Sequence, residues 1–163
     1  MVISDESALG EREVGNLRAA IEHRATWLYF LLDEARKNGL DGDGFARKAI
    51  FRCGCYHGTT RFGDVANLRE FAEAMINDVT RGVFAAETRE LSDELFVFEF
   101  HYCPLVAAWR KLTDNGEEIK KLCDIAMDGD RGIVSTLDSC EIEIKQTIAE
   151  GAETCRLEIK KVG

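Results

Sequence analysis

The chain has 163 residues, 45% of them hydrophobic and 31% charged, which is ample for one globular domain built on a single core. Its formal net charge of −9 argues against nucleic acid and anionic membrane as partners, since both call for a basic surface. No apolar run is long enough to cross a bilayer, and the polar, acidic start from Met1 to Glu13 has neither the basic nor the apolar region of a signal peptide, so a cytoplasmic location is expected.

From Glu11 to Lys37, apolar residues recur at helical spacing (Leu17, Ile21, Ala25, Leu28, Leu32), and Asn38-Gly39 reads as the stop. Asp41 or Asp43 caps a second helix through about Tyr56, with Gly54 and Gly58 loosening its end. Asp64 is expected to cap a third, with Leu68, Phe71, Ala72, Met75, Ile76 and Val79 on one stripe. Near Leu95 the period changes to two. Phe96, Phe98, Phe100 and Tyr102 point one way and Leu95, Val97, Glu99 and His101 the other, which is a strand. The aromatic side is expected to be core, with a homodimer surface as the alternative. Glu99 and His101 share a face, and Cys103 joins them if strand geometry persists.

Pro104, the only proline, begins a helix with Leu105, Ala108, Trp109 and Leu112 on its apolar side and Asn115-Gly116 at its end. A further helix is expected from about Glu117 to Leu137, its stripe running through Ile119, Leu122, Cys123, Ala126, Asp130, Ile133 and Leu137. Asp130 is the anomaly on that stripe. An inward carboxylate needs a partner, a wet cleft or a proton. Gly129 and Gly132 beside it suggest close approach of another backbone or a helix break. A hairpin closes the chain, with Cys140, Ile142, Ile144 and Ile148, then Cys155, Leu157 and Ile159, on its apolar faces and a turn at Glu150-Gly151.

The order of elements gives an α+β fold: N-terminal helices packed with an antiparallel sheet of about three or four strands, and two helices inserted between the first strand and the C-terminal hairpin. One domain over 1–163 is expected, with a helical half (1–90) and an α/β half (91–163). The six cysteines are expected to be reduced. Cys53, Cys55 and His57 are conceivable ligands, but on a helix they point to different faces. Cys103 falls at the capping position before Pro104, where backbone N–H groups and the helix dipole favour thiolate.

The text His101-Tyr102-Cys103-Pro104-Leu105 with Trp109, then Leu122-Cys123-Asp124-Ile125-Ala126-Met127-Asp128-Gly129-Asp130-Arg131-Gly132, and finally Cys155, resembles the L-2-amino-thiazoline-4-carboxylic acid hydrolase family. The resemblance covers Phe96 to Lys160, the first half matching only in general character. It implies a hydrolase that opens a thiazoline ring to a carbamoyl-cysteine. It also implies a site lined by His101, Cys103, Cys123, Asp124, Asp130, Arg131 and Cys155. Chemistry then suggests the roles. Cys103 is the candidate nucleophile, with His101 or Asp130 moving protons. Arg131 would hold a substrate carboxylate. Cys123, Asp124, Cys155 and Glu99 complete the binding set. No cofactor is required by this reading. A metal-assisted alternative places zinc on His101, Cys103, Cys123 and Asp124 or Asp130. A third alternative is a non-catalytic small-molecule binding or sensing module of the 4-vinyl-reductase type, which the architecture faintly resembles.

Overall fold

A computed structural model describes residues 6–163; the first five residues of the polar start lie outside it. The elements are α1 (Glu11–Lys37), α2 (Gly42–Arg61), α3 (Leu68–Met75), α4 (Asp78–Phe84), β1 (Ala86–Leu91), β2 (Leu95–Phe100), α5 (Pro104–Trp109), α6 (Gly116–Ala126), α7 (Asp128–Val134), β3 (Cys140–Gln146) and β4 (Cys155–Lys161), with a 3-10 turn at Ile148–Glu150. The four strands form one antiparallel sheet in the order β1-β2-β4-β3. The α+β expectation therefore holds. No described helix is long and apolar enough to cross a membrane.

Three expectations about elements are corrected. The third helix is split, because Asn77 caps a new one by accepting from the Val79 and Thr80 amides, and Asn67 rather than Asp64 caps α3. The long helix from Glu117 to Leu137 is also two, α6 and α7, so three helices rather than two separate β2 from β3. The break at Met127 keeps helical dihedrals, which is why the apolar spacing runs through it. Finally, β1 precedes the first strand read from the pattern. Asp41 does cap α2, through its side chain and the Gly44 amide, but α2 runs on to Arg61.

Two apolar clusters fill the interior. One lies on the inner sheet face, where Phe96 and Phe98 are fully buried with Leu157, Ile159, Phe71 and Val134. These aromatic residues are core, and burying each stabilises the fold by about 2 kcal/mol. The other gathers Ala25 and Leu32 of α1, Trp109 of α5, and Leu122 and Ile125 of α6. The Trp109 indole N–H donates to the Ala25 carbonyl at 3.0 Å, which locks α5 onto α1 without leaving a buried donor unpaired. Met127 and Ile148 pack against both clusters and mark the seam between them.

Glycines set how α2 meets α7. A Cβ at Gly54 would overlap the carbonyl of Gly129, and one at Gly132 would overlap the carbonyl of Phe51. The two backbones thus touch directly, and α7 is held with Asp130 in its first turn.

Candidate active site

The seam collects four of the residues singled out above, one from each of four elements. Cys103 is the N-cap of α5, Cys123 lies on α6, Asp130 on α7, and Cys155 opens β4. They are near enough to act on one another electrostatically. Cys103 and Cys155 both feel the Asp130 carboxylate, and Cys123 feels both other sulfurs.

Burial dominates every thiol. It pushes Cys123 up to about 12, with the neighbouring Thr147 side chain working weakly the other way. It pushes Cys155 up to about 11, although the Ile148 amide donates to the sulfur at 3.2 Å. Cys103 is raised as well, again by burial. The Val106 and Leu105 amides favour its thiolate, as expected at a helix start, but the side chain forms no direct cap bond. The expectation of a resting thiolate at Cys103 is thus corrected, because loss of water outweighs the amides.

Asp130, in the first turn of α7, is half-buried. Burial raises its carboxyl to about 6, while its own backbone N–H, Arg131 and Arg24 pull the other way. It is therefore poised near neutrality, the range in which an acid–base group is most useful.

His101 and Glu99 lie elsewhere. The strand ends at Phe100, the His101 amide turns to the carbonyls of Phe84 and Ala85, and its ring bonds the Glu87 carboxylate at 2.9 Å in an exposed position. Glu99 is buried on the outer sheet face between Arg156 at 3.0 Å and Arg89 at 3.1 Å. The proposed ligand set of His101, Cys103, Cys123 and Asp124 therefore does not converge. Among the described residues, the group whose ligand atoms all lie within 4.8 Å of one another is Glu87, Glu99 and His101, and Arg89 and Arg156 already pair with its carboxylates.

Asp124 and Arg131 meet at the surface instead. Arg131 donates to Asp124 at 2.7 Å and to Asp128 at 2.6 Å, and Arg47 donates to the same two carboxylates at 2.6 and 3.2 Å. Burial works against ionisation of Asp124, but the two guanidinium groups outweigh it and hold the carboxyl below its ordinary value. Both ends of Arg131 are thereby occupied. Cys53 is exposed and Cys55 touches the Ser135 hydroxyl at 3.5 Å, both on α2.

A cavity of about 440 Å³ opens beside the seam. Its buried wall is Cys123 and Thr147, with Met127 and Ile144 alongside. Lys120, Lys121, Lys145 and Arg131 rim it, facing Glu117, Asp124 and Glu150. The Thr147 hydroxyl donates to Glu150 at 3.0 Å, and so does the Thr147 amide. The three lysines, Thr147 and Glu150 were not legible as site residues. They come from α6, β3 and the 3-10 turn, and no spacing links them.

The chain matches the family described as L-2-amino-thiazoline-4-carboxylic acid hydrolase over residues 18–159, which includes most of the helical first half that the motif text left out. No curated protein matches it. Among solved structures it is similar to the crystal structure of a trafficking protein particle complex subunit 3 from Naegleria fowleri covalently bound to palmitic acid. That likeness has 15% identity, covers 85% of this chain and 93% of that one, and gives a TM-score of 0.58, so it speaks to the fold alone. The match over residues 18–159 establishes that the chain belongs to the L-2-amino-thiazoline-4-carboxylic acid hydrolase family.

Proposed function

We propose that this member of the family is a small-molecule hydrolase that opens a thiazoline-type or related carbon–nitrogen or carbon–sulfur bond in a carboxylate-bearing substrate, with a cysteine as nucleophile. The carrying observation is that Cys123, which walls a cation-rimmed cavity, lies within electrostatic reach of Cys103 and Cys155, and both of these within reach of Asp130. A substrate carboxylate would draw the rim lysines from their exposed partners, Lys120 from Glu117, Lys121 from Asp43 and Lys145 from Glu143, pairs that cost little to exchange, whereas Arg131 is held by Asp124 and Asp128 together. That local positive charge offsets the acidic balance of the whole chain.

In this reading Cys103 begins as a thiol, and ionised Asp130 takes its proton as the sulfur bonds to the amidine carbon. The ring C–S bond then breaks and the departing sulfur takes that proton. Water adds to the same carbon, the bond to Cys103 breaks, and the thiol and a carbamoyl product are released. The backbone N–H groups at the start of α5 steady the sulfur when it is charged.

A screen of thiazoline, hydantoin and carbamoyl compounds tests this on wild type, Cys103→Ser and Asp130→Asn. Each variant is expected to lose turnover by about two orders of magnitude or more while still folding. If all three proteins turn over every active compound alike, the assignment fails.

A second reading is a binding module without turnover. It is favoured by thiols that burial keeps protonated, and by a protein of like fold that holds palmitic acid covalently. Such a module would keep ligand affinity in Cys103→Ser for a non-covalent ligand and release no product from any compound.

A further inference from the structure

We propose that the outward face of α1 and α2 is a self-association surface through which two copies of this chain pair. Large apolar side chains left in solvent are concentrated there: Trp27 (64% exposed), Phe30 and Leu31 on α1, Leu40 in the turn, and Phe45 (72%) and Tyr56 (64%) on α2. On each helix they lie opposite the side packed into the molecule. At the angular step of a helix, Trp27, Phe30 and Leu31 oppose Ala25 and Leu32, and Phe45 and Tyr56 oppose Gly54 and Gly58, the glycines buried against α7 and the residues after it. Scattered exposed apolar residues need no explanation, but a concentration of this kind on consecutive helices does.

Area and charge favour a second copy as the occupant. With aromatic side chains offering roughly 150–250 Å² each, these six expose on the order of 800 Å², close to what one partner contributes to a standard interface. A chain of net charge −9 repels its own copies over most of its surface. On this face the exposed charges come close to cancelling, Arg24, Lys48 and Arg52 against Glu34 and Asp41, so two copies meet here with little net like charge. A face that pairs with itself about a two-fold axis also closes the assembly and leaves no open end. None of the residues lining the cavity comes from α1 or α2, so pairing leaves the cavity accessible, and the proposal stands apart from the catalytic reading.

Sedimentation velocity and light scattering on the full chain test it. Wild type is expected to be a dimer at about 100 µM, dissociating on dilution with a red shift in tryptophan emission as Trp27 becomes wet. Trp27→Glu combined with Phe45→Glu should weaken association by about 100-fold or more while the far-UV circular dichroism is unchanged. A wild type that is monomeric at that concentration overturns the proposal, including one that instead sediments with phosphatidylserine vesicles. So does a dimer that the double variant forms equally well.

Discussion

The two faces of the sheet handle ionisable groups in opposite ways. On the outer face Glu87, Arg89, Glu99, His101 and Arg156 form a lattice in which each charge has a partner within 3.1 Å. At the inner seam Cys103, Cys123 and Cys155 belong to the apolar clusters, and burial is the largest influence on each of them and on Asp130. Charge on the outer face is compensated and chemically quiet. The seam holds groups that loss of water pushes away from their ordinary titration ranges. His101 and Cys103 stand two residues apart in the chain and fall on opposite sides of this divide.

The comparison breaks most sharply if Asp130→Asn keeps activity. The expected outcome is a loss of turnover of about two orders of magnitude, together with no loss of fold, measured on any compound that wild type hydrolyses. Next comes the packing that holds Asp130 in place. Gly54→Ala should destabilise by about 3 kcal/mol, because the added methyl meets backbone rather than a yielding side chain; urea unfolding measures it.

A pH series sharpens the contrast further. A carboxyl raised to about 6 in the folded chain, against 3.8 ordinarily, binds more protons folded than unfolded between those values. Its stabilising influence is thus present at low pH and lost as pH rises through about 6. At pH near 7.5 its ionised form costs on the order of 3 kcal/mol. Asp130→Asn should therefore be the more stable protein near neutrality, with the advantage shrinking toward pH 4. An advantage that grows as pH falls would contradict the burial argument. The smallest effect belongs to the outer face. His101→Ala, which removes one exposed partner of Glu87, should shift stability by less than about 1 kcal/mol and leave turnover within about twofold.

Much of the fold was legible from periodicity. The 27 residues of α1 were bounded correctly by the apolar spacing and Asn38-Gly39. The alternation in β2 was equally clear, and in the closing hairpin it holds through Gln146, while Ile148, expected to continue it, lies in the 3-10 turn. Where patterning was weak, elements were lost. In β1, Ala86-Glu87-Thr88-Arg89-Glu90-Leu91 is an edge strand whose outer side chains are charged, so no apolar alternation announces it. The glycines flanking Asp130 did signal close backbone approach, and α2 supplies that backbone.

Periodicity and motifs are local properties, so the kinds of element, the family and an acid on an apolar stripe can all be read along the chain. Packing alone brings Cys103 within electrostatic reach of Asp130 and Cys155 while His101 turns outward to Glu87. It also decided that Cys103 rests as a thiol, and that Lys120, Lys145 and Thr147 share one cavity. The reason is physical. Desolvation and proximity depend on what packs around a group, and for these residues the packing comes from segments far away in the chain.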